Sequence, residues 1–171
     1  MLLASSDSRA AAPDRPRLAR RPVPRQSSDV QQLIAAISRQ LAERARVTEW
    51  LLLPDRDGTP REVDVLVDVT TRSRPVRIAI EYGAGTRPVG VGWIEQLHGK
   101  YRDLPVDHVV AVAKGGFTPA ARTTAAVRQI RLLTLAEARR ADWARAFDDA
   151  ARSPRAGPLM TSSRDADVPA A

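Results

Sequence analysis

The chain contains no cysteine, only two lysines (Lys100 and Lys114), only two histidines (His98 and His108) and few aromatic residues. The missing cysteine rules out disulfides, thiolate metal sites and a cysteine nucleophile. The two histidines lack metal-ligand spacing and are read as residues without a chemical role. No apolar run approaches the roughly 20 residues a membrane span needs. Met1 to Ala4 lead into polar residues rather than a signal core. A cytoplasmic protein with no membrane contact is the expectation. A phosphate-binding P-loop is also excluded, because the glycines between Gly83 and Gly92 are not followed by Gly-Lys-Ser/Thr.

What is present is enough for one domain with tails. At 171 residues and 43% hydrophobic content the chain can bury a real core. A formal charge of +7 and a pI near 11.0 suit an anionic partner such as nucleic acid. Arginine supplies nearly all of that charge and alanine is abundant, a pattern that GC-rich coding bias also produces.

Three regions follow from composition. Residues 1–26 carry Pro13, Pro16, Pro22 and Pro24 among six arginines, which predicts a disordered basic arm suited to lying along phosphates. Residues 27–152 alternate helix and strand signals, and 153–171 read as a disordered tail. Within the domain, Ser28-Asp29-Val30-Gln31 matches a capping box, and Val30, Leu33, Ile34, Ile37 and Leu41 repeat at helical spacing. A strand from Val47 to Leu53, turn residues from Pro54 to Pro60 and a strand from Arg61 to Thr70 predict a hairpin. Further strands are expected over Arg74–Tyr82, Asp107–Ala113 and Gln129–Thr134. Helices are expected over Trp93–Asp103, Pro119–Arg128 and, as one piece, Leu135–Arg152. The glycines and Pro88 between Gly83 and Gly92 predict a mobile loop. The order gives an α/β fold, a central mixed β-sheet flanked by helices.

Two carboxylates organise this pattern. Alternation along Arg61–Thr70 places Glu62, Asp64, Leu66 and Asp68 on one face and Val63, Val65, Val67 and Val69 on the other. The next strand sets Val76, Ile78 and Ile80 against Arg77, Ala79 and Glu81. Each strand thus offers one acid to a common face. A charge in such a strand calls for a polar partner or a cation, since burying it alone is costly.

The series Arg61-Glu62-Val63-Asp64, Ile78-Ala79-Ile80-Glu81, Trp93-Ile94-Glu95-Gln96-Leu97-His98-Gly99-Lys100 and Lys114-Gly115-Gly116-Phe117-Thr118 resembles the restriction-endonuclease-like PD-(D/E)xK superfamily. It is most similar to the Mrr-like catalytic domains, over roughly residues 28–135. The resemblance implies a three-layer-like restriction-endonuclease-like fold and a DNA endonuclease that uses Mg²⁺ or Mn²⁺. It also implies Asp64 and Glu81 as metal ligands and catalytic residues, and a lysine two positions past the glutamate. Gly83 stands at that position. Lys100, on the following helix, is the best candidate for a relocated lysine. Arg87 is weaker, because a guanidinium cannot take a proton from water. Arg61, Arg87 and Lys114 are candidates to touch DNA phosphates. Glu43, Glu49 and Gln96 could add to the site, but a surface role is favoured for each, and Asp68 is read as a solvated carboxylate.

Two functions follow. One is a Mg-dependent DNA endonuclease. The other is a nucleic-acid-binding module that keeps the fold but has lost turnover, as Gly83 suggests. No separate recognition domain is visible, so a homodimer or a separate recognition protein is an expected partner.

Overall fold

The sheet starts from a hairpin built by one side chain. Asp55 Oδ1 accepts the backbone N–H groups of Asp57 (3.0 Å) and Thr59 (2.9 Å), and Gly58 takes a left-handed φ of 79°. This turn joins β1 (Ala45–Pro54) to β2 (Pro60–Thr70), and β3 (Pro75–Gly83) pairs antiparallel on the far side of β2. Then come α2 (Val91–Tyr101), β4 (His108–Ala113), α3 (Pro119–Val127) and β5 (Ile130–Thr134), with β4 and β5 parallel to β3. The computed structural model describes residues 28–41, 44–70 and 75–152. The basic arm, the C-terminal tail and Glu43 lie outside the described residues.

The five strands stand in chain order, and each face is covered by its own helices. On one face α1 (Ser28–Leu41), α4 (Leu135–Arg140) and α5 (Trp143–Arg152) pack Leu33, Ile37, Leu135, Trp143 and Phe147 against Val65, Val67, Ile78, Ile80 and Val112. On the other, α2 and α3 pack Ile94, Leu97, Tyr101, Ala121 and Ala125 against Leu66, Ala79, Ala111 and Ala113. Burying each large aliphatic side chain contributes roughly 1.5–3 kcal/mol. The result is an α/β fold with a mixed sheet between two helical layers.

Several expectations are corrected. The helix expected over Leu135–Arg152 is two helices, broken at Ala141 and Asp142. Gln40 of α1 fills the break, donating to the Ala141 carbonyl (2.9 Å) and accepting the Trp143 N–H (2.7 Å). Asp142 then caps α5 by accepting the Arg145 N–H at 2.9 Å. The turn lets Trp143 and Phe147 enter the core stacked, with centroids 5.7 Å apart. β5 begins at Ile130 because Gln129 has a φ of 56°. β1 runs longer than Val47–Leu53, pairing with β2 from Ala45 to Pro54.

The four valines of β2 do not share one face. Val65, Val67 and Val69 lie with α1, whereas Val63 joins the cluster under α2 and α3. The ladder passes from Glu49 opposite Val65 to Leu51 opposite Val63, skipping Trp50 and Asp64. Trp50 sits there at a φ of 49°. An interruption of this kind re-aims the side chains beyond it.

The glycine-rich loop after β3 is anchored rather than free. Backbone bonds join Lys114 N to Gly83 O, Gly115 N to Gly85 O, Val89 N to Gly116 O and Thr118 N to Val89 O, at 2.9–3.0 Å. Gly115 makes this possible. A Cβ there would lie 2.4 Å from the Arg87 carbonyl oxygen.

Candidate active site

The last registered pair between β2 and β3 is Val65 opposite Ile80. One step further stand Asp64 and Glu81, on the face shared by Leu66 and Ala79 and covered by α2. Here β2 parts from β3, and the side chain takes over from the ladder. Asp64 Oδ2 accepts the Tyr82 backbone N–H at 2.8 Å.

Glu81 is buried, 7% exposed, yet amply supplied with donors. Lys100 of α2 places Nζ 2.7 Å from Glu81 Oε1, and the Tyr101 hydroxyl donates to the same oxygen. Lys100 Nζ also lies 5.1 Å from the Tyr101 ring centroid. Burial, then the neighbouring Glu81 charge and hydrogen bond, drive the Tyr101 phenol far above its usual range, so it stays protonated as a donor. Asp64 has less help. Burial first and the Glu81 charge second push its carboxyl up to about 6, against the lowering effect of the Tyr82 N–H and Lys100. A nearby cation or a proton relieves the repulsion between two such acids.

Each acid keeps one oxygen uncommitted. Among the described residues, the hydrogen bonds of Asp64 go to Oδ2 and those of Glu81 to Oε1. Asp64 Oδ1 and Glu81 Oε2 remain for a hard cation. No third His, Asp or Glu among the described residues completes a metal-binding group. A two-carboxylate set suits magnesium, which keeps several waters and takes further oxygens from substrate phosphates.

Gly83, which stands where the resemblance implies a lysine, lies against α2 and β4. A Cβ on Gly83 would touch Trp93 Cη2, Val89 Cγ2 and Ala113 Cβ at 3.6–3.7 Å. Trp93, stacked on Phe117 with centroids 6.3 Å apart, thus forms one wall beside Gly83. The helix that brings Trp93 over Gly83 is the one that brings Lys100 to Glu81.

The other candidates lie elsewhere. Arg61 is bonded to Asp55 at 3.0 Å, at the hairpin turn. Arg87 is exposed on the anchored loop. Lys114 lies with Asp29, not Lys100, at 3.1 Å. Glu49 is opposite Val65 and so faces away from Asp64. Asp68 is not simply solvated, since it pairs with Arg77 across the strands at 2.9 Å. Gln96 is exposed, and His108 Nε2 sits 2.9 Å from the Ala150 carbonyl.

Sequence reading missed two features. One is Tyr101, whose spacing from Ile94 and Leu97 gives it a core position on the helix; a tyrosine there is the available signal, because a buried hydroxyl needs a partner. The second is a cluster on the opposite face, where Asp29 accepts from the Tyr82 hydroxyl (2.9 Å), Lys114 and Arg139 (2.7 Å). Lys114 and the Tyr82 hydroxyl, followed by the nearby charges, hold Asp29 below the usual carboxylate range despite partial desolvation. Tyr82 is pushed up to about 12 by burial and by Asp29. Nothing local in the sequence marks this cluster, since its members are spread from α1 to α4.

Comparison with known proteins agrees with this architecture. The family model Mrr_cat, described as restriction endonuclease, matches residues 54–140. No curated protein sequence matches the chain. Among solved structures, protein VC1899 from Vibrio cholerae is 17% identical over 71% of this chain and 33% of its own, with a TM-score of 0.51. A protein of unknown function, AF1548, is 14% identical over 62% of this chain and 57% of its own, with a TM-score of 0.48. The DNA modification-dependent restriction endonuclease AspBHI is 16% identical over 81% of this chain and 44% of its own, with a TM-score of 0.39. The chain therefore spans between a third and just over half the length of these proteins. At such identities the VC1899 likeness speaks to the fold alone.

Proposed function

Because the chain belongs to the Mrr_cat restriction endonuclease family, we propose that it is a magnesium-dependent DNA endonuclease whose catalytic residues are Asp64, Glu81 and Lys100. The observation that carries this reading is the convergence of two strand-borne acids and one ammonium, with Lys100 2.7 Å from Glu81. Asp64 Oδ1 and Glu81 Oε2 would hold Mg²⁺ or Mn²⁺, which when bound stabilises the charge building on a phosphate and lowers the pKa of its water.

The protein's own groups supply the rest. Lys100 Nζ, beside Glu81, can hold the attacking water or a phosphate oxygen in line. Tyr82 fixes the orientation of Asp64 through its N–H. Hydrolysis then forms a P–O bond from the water oxygen and breaks one ester P–O bond of the chain; the water gives a proton to solvent and the departing sugar oxygen takes one from it. Arg87, exposed on the loop after Glu81, is suited to a neighbouring phosphate. Arg61 and Lys114 would reach DNA by exchanging Asp55 and Asp29 for phosphate. A homodimer or a separate recognition protein would supply sequence choice, and a cytoplasmic location accompanies this role.

The second reading, a DNA-binding module without turnover, is favoured by Gly83 and the Trp93 ring packed over it. Plasmid nicking beside a gel-shift assay separates the two. The expected result is nicking that requires Mg²⁺, stops in chelator and falls a hundredfold or more in Asp64→Asn, because several kcal/mol of charge stabilisation is lost. Binding without nicking under Mg²⁺ and Mn²⁺ would instead establish the inactive module.

A further inference from the structure

We infer that Tyr101 is a positioning residue that, together with Lys100, makes Glu81 a one-oxygen ligand and thereby sets a preference for magnesium over calcium. This rests on the metal-dependent reading of the same site.

Tyr101 belongs to the core under α2, 6% exposed, and its ring packs among Ile94, Leu97 and Ala79. Its hydroxyl nevertheless ends on Glu81 Oε1, the atom that also accepts from Lys100. A carboxylate oxygen offers about two lone-pair directions. Both are taken on Oε1, so a cation meets only Oε2. Asp64 is similarly divided, with Oδ2 engaged by the Tyr82 N–H and Oδ1 left over.

That division matters differently to the two ions. Magnesium binds through one or two carboxylate oxygens and retains its waters, whereas calcium takes six to eight oxygens and gains from carboxylates that bind through both. Tying up Oε1 removes the two-oxygen mode of Glu81. The loss falls on calcium and leaves magnesium little affected. A tyrosine that served only to fill the core would change stability without changing the ratio of the two affinities.

The test uses the full chain without DNA, titrated separately with MgCl₂ and CaCl₂ by calorimetry, for the wild type, Tyr101→Phe and Lys100→Met. Groups that bond to metal ligands shift metal affinity by roughly 10–100-fold. The expected result is that calcium binding tightens relative to magnesium by about tenfold in Tyr101→Phe, at the low end of that scale. The same direction is expected in Lys100→Met, whose side chain is 24% exposed and can be replaced even if Tyr101→Phe does not fold. An unchanged calcium-to-magnesium ratio in the variants, with both ions still binding, overturns the inference and leaves the metal site standing. Absence of metal binding in the wild type, or binding that persists in Asp64→Asn, overturns the metal site itself and the inference with it.

Discussion

The electrostatics of Asp64 predict that a site residue is a burden on the metal-free fold, and that removing its charge stabilises the protein. Burial and Glu81 push its carboxyl from an ordinary 3.8 up to about 6. Converted at roughly 1.4 kcal/mol per pH unit, the ionised group costs the folded state about 3 kcal/mol. The direction follows from a raised folded pKa. Below about pH 3.8 the carboxyl is protonated in both folded and unfolded chains and costs nothing. The cost grows as pH rises from 3.8 to about 6 and is complete above. Asp64→Asn keeps an acceptor for the Tyr82 N–H but adds a half-buried amide donor, which offsets roughly 1 kcal/mol. A net gain of about 2 kcal/mol remains, worth roughly 4–8 °C in Tm for a chain of this size. The assay is thermal unfolding in chelator at pH 7.5 and again at pH 4. The variant should melt higher at pH 7.5, and its advantage should shrink at pH 4. Magnesium at ten times its Kd should raise the wild type alone by about 1.4 kcal/mol and narrow the gap. A variant no more stable than the wild type at pH 7.5, or one whose advantage persists undiminished at pH 4, would refute the reasoning.

Other expectations follow from the packing around the site. Gly83→Lys, which places a lysine two residues past Glu81, should lower stability by roughly 1–3 kcal/mol because its Cβ already touches Trp93 at 3.6 Å and the longer stem must push past that ring; combining it with Trp93→Ala should cost less than the two changes added separately, as read from urea midpoints. Gly115→Ala should cost at least as much, since its methyl would meet the Arg87 carbonyl and push the anchored loop away; a variant with wild-type stability would show that the loop yields freely. Gln40→Ala should cost about 1 kcal/mol for each bond to the α4–α5 break, and a red shift of tryptophan emission at low urea would report Trp143 leaving the core first.

Much of this architecture can be read from side-chain periodicity. Period-two runs place Asp64 with Leu66 and Glu81 with Ala79, and the structure has these pairs on one face. The unbroken apolar run before Lys114 is a strand buried on both sides, between β3 and β5. Periodicity fails where a distant residue intervenes. It cannot see that Gln40 breaks the last helix, because the helical pattern itself runs on through Ala141. Nor can it see that Val63 changes face, which depends on how Trp50 sits in the neighbouring strand.

The candidate site divides in the same way. The amino-acid order alone specifies two acids on adjacent strands, because strand geometry assigns neighbours and faces through local backbone sterics. Which donors reach Glu81 depends on how α2 lies across the sheet. That docking is driven by Ile94 and Leu97 entering the core, and it brings Lys100 and Tyr101 to one oxygen of a residue 19 and 20 positions earlier. The raised pKa of Asp64 has the same origin, since desolvation and the Glu81 charge exist only once the layers close over the strands.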